Sequence, residues 1–209
     1  MEPAVDEALR TLFDYAGRPE WAEELAQARK EFFALVGAPL PGEALEELRL
    51  ASLVEWFIFD RRLAGPDCTP VEEYVRLHAS ELSGDVVAVF QGFPRAVHSV
   101  FEVKKRTERG TYLLDLYSGV KYKEARRVPM TLGKRDMVEL RLVPVNNQWF
   151  ATDGLCVHPY LARKAITRRL KEARKKGQPL DPLLWKLMAM NTKFERAPRT
   201  AKAHIYQFS

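Results

Sequence analysis

The chain has 209 residues, 46% of them hydrophobic, with a formal net charge of +5. That length buries an ordinary core without disulfide staples, as one large domain or two small ones. Cys68 and Cys156 lie far apart and outside any C-x-x-C pair, which argues against a disulfide framework or a zinc knuckle and fits a reducing cytoplasm. The start, MEPAVDEALR, is acidic and lacks the apolar core of a signal peptide, and runs such as WFIF are too short to span a bilayer, so no membrane association is expected.

The first hundred residues read as helices. Val5, Leu9, Leu12 and Phe13 share one face of a segment that ends at Gly17, where a left-handed cap is expected. Pro19 suits the first turn of a second helix, with Trp21, Leu25, Ala28, Phe32 and Leu35 on its inner face. A third, over residues 41–63, ends in Trp56 to Phe59, which is apolar on every side and calls for enclosure by its neighbours. Thr69-Pro70-Val71-Glu72 combines a capping hydroxyl, a first-turn proline and a returning Glu, and starts a helix expected to reach about Leu82. DVVAVFQGF, short and either helical or extended, leads to Pro94.

From HSVFEVKKR the apolar period changes from helical to two. TYLLDLYS, GVKYKEARR, MVELRLVPV and QWFATDG continue it, separated by short turns containing Gly110, Gly119, Gly133 and Asn146-Asn147. Half-buried strands with one polar face are predicted, as a five-stranded antiparallel meander or small barrel whose closure removes the exposed edges. A basic helix then runs from about Pro159 to Lys176 and is stopped by Gly177 and Pro179; Asp181-Pro182 starts another, and the tail AKAHIYQFS reads weakly as an edge strand. The fold class is α+β, with an acidic helical domain over residues 1–95 and a basic β module with flanking C-terminal helices over 96–209.

EWFIFDRRL, TPVEEYV, HSVFEV, LLDLYSGVKYKE and LGKRDMVELRLVP occur in an order that resembles a group of bacterial proteins of uncharacterised function. Those proteins often carry a SEC-C type cysteine-rich zinc motif at one end. The similarity covers roughly residues 50–145 and implies a helical segment followed by a small β module. The cysteine-rich motif is absent here, so neither its zinc nor any catalytic residue carries over.

Charge is divided unevenly. Residues 1–100 hold 9 Lys and Arg against 18 Asp and Glu, a net −9, and residues 101–209 hold 24 against 10, a net +14. Such a split suits a polyanion partner for the basic half, or attraction between the two halves within a chain or between copies. On a helical wheel Ala162, Leu170 and Ala173 lie within about 40° of Ile166. That narrow apolar stripe leaves Arg163, Lys164, Arg168, Arg169, Lys171 and Arg174 on a broad cationic face suited to phosphates. Lys104, Lys105, Arg106, Arg109, Lys121, Lys123, Arg126 and Arg127 add a second basic patch beside Tyr112, Tyr117 or Tyr122, an arrangement that grips single strands. An ordinary solvated or acid-paired surface has the same composition.

Metal and catalytic motifs are weak. Cys156-Val157-His158 has no second ligand pair nearby, and His78, His98 and His204 are scattered. Glu102-Val103-Lys104 matches the E-x-K of metal-dependent nucleases but has no suitably placed upstream Asp. No G-x-S-x-G, H-E-x-x-H or phosphate-binding glycine loop is present. The expected function is a non-enzymatic cytoplasmic binding protein without cofactors whose C-terminal half contacts nucleic acid. The alternatives are a protein–protein adaptor or self-associating scaffold, and a metal-dependent nuclease.

Overall fold

The computed structural model describes residues 2–65, 67–82, 84–198 and 202–208. Its architecture is α+β. Five helices come first: α1 (Glu2–Ala16), α2 (Ala22–Val36), α3 (Glu46–Phe59), α4 (Pro70–His78) and α5 (Gly84–Gly92). Strands β1 (Val97–Thr107), β2 (Gly110–Asp115), β3 (Lys121–Ala125), β4 (Met137–Val145) and β5 (Gln148–His158) follow, then helices α6 (Arg163–Lys175) and α7 (Asp181–Arg196).

The sheet order is β3-β2-β1-β4-β5, all antiparallel. Only the first three strands form a meander; β4 returns to the free side of β1. The expected barrel does not close, and the sheet is open. Bulges between Val103 and Lys105, Thr111 and Leu113, and Leu140 and Leu142 curl it, since an extra residue on one strand sharpens the local twist. The curl brings the end of β3 to β5 at one parallel bridge, where the Arg126 amide donates to the Trp149 carbonyl (2.8 Å) and the Ala151 amide to the Arg126 carbonyl (3.0 Å).

Inside the curl lie Phe101, Val103, Leu113, Tyr122, Val138, Leu140 and Leu142. Helices α6 and α7 pack Ile166, Leu170, Leu187 and Phe194 against Val100 and Met137 on the outer face. Helices α1, α3, α4 and α5 form another core with Val143, Val145 and Phe150 of the sheet. The helical and β segments therefore share cores across residue 95. β4 departs most from the sequence pattern. Glu139 and Arg141, read as its solvent face, are buried, because helices cover the outer side of the sheet as well as side chains filling the inner one.

Local corrections have local causes. Gly17 receives no left-handed φ; Gly37 (φ 84°) and Gly177 (φ 62°) do, at the ends of α2 and α6. Leu35 is exposed, and α2 buries Val36 with Ala28 and Phe32 instead. Pro19 opens a 3-10 turn, Pro19–Trp21, before α2 begins. The third helix is shorter than the pattern suggests, and α4 stops at His78 rather than near Leu82. The tail forms a 3-10 turn over Lys202–His204 instead of an edge strand, and its Tyr206 is buried; Ser209 lies outside the described residues.

The capping box at α4 forms as the motif predicts. The Glu72 amide donates to Thr69 Oγ1 (3.4 Å) and the Thr69 amide to Glu72 Oε2 (2.8 Å). Thr69→Ala is expected to lower unfolding free energy by about 1 kcal/mol in urea titration. Phe57 is fully buried among α1, α3, α4 and α5, and Phe57→Ala is expected to cost roughly 3–5 kcal/mol in the same measurement.

Candidate functional site

Helix α6 docks through Ile166, Leu170 and Ala173, the stripe the wheel predicts. Its outer side carries Lys164, Arg168, Lys171 and Lys175 along a shallow furrow of about 460 Å³. Every residue lining that furrow belongs to α6 itself, so it is the face of a helix without a second wall. At 1.5 Å per residue the four cations rise by steps of about 6, 4.5 and 6 Å. Their nearest acid on the helix is Glu172, whose carboxylate is 4.0 Å from Arg168 with both side chains well exposed, a weak contact.

The other candidate cations divide. Arg163 donates to Glu102 (2.8 Å) and pins the start of α6 to β1. Arg169 donates to Gln178 Oε1 (3.0 Å) at the α6–α7 turn. Arg174 lies against Gly119 in the β2–β3 turn, and Lys121 and Lys123 are exposed on β3 just beyond. Arg126 is half-buried beside the bridge to β5. Arg127 donates to the Ala151 carbonyl (2.7 Å) and pairs with Asp6 (2.7 Å) and Asp153 (3.0 Å). The fold thus brings the α6 stripe, Arg174, Lys121 and Lys123 to one side and commits Arg163 and Arg127 to internal pairs.

The anticipated aromatics also divide. Tyr122 is buried inside the curl against Phe101 and Trp149 and offers no stacking face. Tyr117 donates to the Gln178 carbonyl (2.7 Å), and Tyr112 lies under the Lys105 ammonium (4.1 Å). Tyr160, which the sequence pattern did not single out, is 67% exposed immediately before α6. Glu102 accepts from both Lys104 and Arg163 (2.8 Å each). Burial alone raises its pKa, but these two cations outweigh it and hold the carboxyl below the usual range. Among the described residues Glu102 joins no metal-ligating cluster.

A second constellation lies in the interior. Alternation along β5 places Cys156 and His158 on one face, and Glu139 of β4 is directly opposite Cys156. All three are buried. Cys156 Sγ lies 4.0 Å from His158 Nδ1, which meets the Tyr206 hydroxyl at 3.2 Å. His158 Nε2 faces Glu139 Oε2 at 3.6 Å, and His98 Nε2 faces Oε1 at 3.4 Å. Burial opposes charge on the imidazole of His158, but the Cys156 sulfur and the Glu139 carboxylate outweigh it and push its pKa up to about 9. Burial likewise opposes ionisation of Glu139, and the two imidazoles reverse the balance and hold it below the ordinary carboxylate range.

Helices α3 and α7 cover this centre. Arg49 of α3 is almost completely buried, yet its guanidinium faces no carboxylate within 4 Å among the described residues. It donates to Asn191 Oδ1 (2.5 Å), Thr192 Oγ1 (3.3 Å) and Cys156 Sγ (3.7 Å). Arg141 pairs with Asp60 at the end of α3 and stacks over Phe59. Only Cys156-Val157-His158 was visible in the sequence; Glu139 was hidden by the alternation of its strand, and Arg49 by an amphipathic helical pattern.

Residues 44–190 match the model of a family of unknown function, DUF7986, and the chain belongs to that family. Searches of curated proteins and of solved structures find no match. Among the described residues no helix is long and apolar enough to cross a membrane.

Glu55 provides a test of the covered face. It accepts from Thr152 Oγ1 (2.7 Å) and from the Gly154 amide, but burial dominates and raises its pKa. A carboxyl raised on folding binds more protons in the native state, so stability is fullest below its unfolded pKa of about 4.3 and falls as pH rises toward the folded value. Glu55→Gln retains an acceptor for Gly154 and, with the Thr152 hydroxyl turned, a donor for Thr152. The variant is expected to lose this pH dependence and to exceed the parent in stability at neutral pH, read by urea titration at pH 4 and pH 7.

Proposed function

We propose that this member of the family is a non-enzymatic cytoplasmic binding protein that holds single-stranded nucleic acid along α6. The observation that carries the reading is the exposed run of Lys164, Arg168, Lys171 and Lys175 beginning just after the exposed Tyr160. Cations track a phosphate backbone, and a neighbouring aromatic offers a stacking face to any base. Arg174, which reaches Gly119, and the exposed Lys121 and Lys123 extend the cationic surface from α6 toward β3. The buried side of α6 shares its apolar cluster with residues of the sheet and its β2–β3 turn, α7 and the C-terminal tail, none of them from residues 1–60, which favours an outward role over an answer to the acidic half. The free thiols of Cys68 and Cys156 agree with a reducing compartment. Kinship with SEC-C-associated proteins enters only as a likeness of architecture, since it supplies no ligand residue.

The test is a titration of a labelled single-stranded oligonucleotide at several salt concentrations. Changing Lys164, Arg168, Lys171 and Lys175 to Gln is expected to flatten the salt slope by up to about 3 units, at about 0.7 per phosphate contact. Tyr160→Ala is expected to weaken binding by about 1–3 kcal/mol with the slope unchanged, because stacking releases no counterions. Arg127→Gln, which removes the pairs with Asp6 and Asp153, should lower stability and leave binding intact. A parent protein that fails to bind even at low salt defeats the proposal.

A further inference from the structure

We infer that Glu139, Cys156 and His158 form a binding site for one divalent transition-metal ion of the zinc type. One ligand atom from each lies within 4.8 Å of the other two, and all three residues are buried. The decisive feature is what these atoms lack. Both carboxylate oxygens of Glu139 and Nε2 of His158 are buried without a hydrogen-bond partner. Polar atoms removed from water are normally bonded; here Glu139 meets only long contacts, Oε2 with His158 Nε2 at 3.6 Å and Oε1 with His98 Nε2 at 3.4 Å, which leaves room for a common partner beside Cys156. Hydrogen bonding between the two side chains does not provide it, since Nε2 and Oε2 are 3.6 Å apart. An ion does: bonds of about 2.1 Å in a tetrahedral arrangement place nitrogen and oxygen donors about 3.4 Å apart.

The donor set selects the ion. Thiolate and imidazole favour zinc and its neighbours over magnesium or calcium, which prefer oxygen alone. Three protein ligands leave a fourth position open, the pattern of sites that bind water or substrate. The surroundings supply the outer contacts such ligands use. Tyr206 meets Nδ1 of His158 (3.2 Å), leaving Nε2 for the ion; Arg49 donates toward the Cys156 sulfur (3.7 Å); His98 faces the other oxygen of Glu139 (3.4 Å).

There is also an approach. A cavity of about 20 Å³ borders Glu139 and Cys156, space for one water molecule. His98, Trp56, Trp185 and Asp60 line both this cavity and an outer hollow of about 240 Å³ that adds Asp181. Asp60 is paired with Arg141, which leaves Asp181 as the carboxylate of the hollow without a cationic partner among the described residues to meet an entering cation.

The experiment is cobalt titration of the full-length, metal-free protein, followed by optical absorption and elemental analysis. One equivalent of cobalt per chain is expected, with a thiolate-to-cobalt charge-transfer band and the visible bands of a tetrahedral site. Cys68→Ser should retain all of this. Cys156→Ser should lose the charge-transfer band, and Glu139→Gln and His158→Gln should each weaken binding at least about tenfold, with circular dichroism confirming the fold. Zinc should displace the cobalt and raise the Tm of the parent. A parent that takes up no cobalt overturns the inference without reference to any variant and leaves Cys156 as a hydrogen-bond acceptor for Arg49. A charge-transfer band that survives in Cys156→Ser overturns it equally.

Discussion

The interior depends on how closely α3 lies against β5. Gly154 leaves room for the Glu55 carboxylate between them: a Cβ there would come within 2.8 Å of its carboxyl carbon. With that seat taken, one side of α3 delivers Arg49, Ser52 and Glu55 to the sheet, while Phe57 and Ile58 enter the apolar core with α1, α4 and α5. A helix committed on both sides cannot shift without disturbing the polar and apolar interiors together. A comparable constraint fixes α5, since a Cβ on Gly92 would come within 2.1 Å of the Pro144 carbonyl oxygen.

Several local signals in the sequence survive folding because they are satisfied locally, although the left-handed cap expected at Gly17 does not form. The box at Thr69 and Glu72 needs four consecutive residues, the α6 stop at Gly177 needs one positive φ, and the Ile166 stripe needs only a helix and a surface. Signals that depend on the partner are lost. Glu139 and Arg141 alternate with leucines as they would on a half-exposed strand, and nothing in MVELRLVPV reveals that helices from both ends of the chain cover the second face. Strand order was similarly hidden, because short turns favour neighbours and β4 instead pairs across β1. Tyr160 falls where the sequence pattern starts the basic helix; in the structure it opens a 3-10 turn before α6 and is exposed.

The uneven charge serves more than one purpose. Arg127 with Asp6 (2.7 Å), Arg141 with Asp60, and Arg196 with Glu43 (2.7 Å) join the basic and acidic halves of one chain. Attraction between halves therefore explains part of the imbalance. It does not extend to the outward side of α6, whose cations are displayed along the helix rather than turned toward the acidic segment. Arg163 marks the division: its guanidinium is held by Glu102, while Lys164 beside it is exposed.

The buried centre follows a different logic from the basic surface. A buried guanidinium without a carboxylate and a buried carboxylate met only by long contacts from two imidazoles are both unfavourable interior choices, and well-packed hydrophobic residues commonly serve stability as well or better. Arg49, Glu139 and His158 occupy positions on regular helix and strand where an aliphatic side chain meets the same backbone requirements. Packing and secondary structure therefore do not account for them, whereas a bound cation accounts for the unpaired atoms of Glu139 and His158 directly. It also gives Cys156, buried and free, a role that does not require a second cysteine. The centre shares no residue with the exposed stripe of α6, so the proposed polyanion on the outside and the proposed metal ion within are physically independent and separable by mutation.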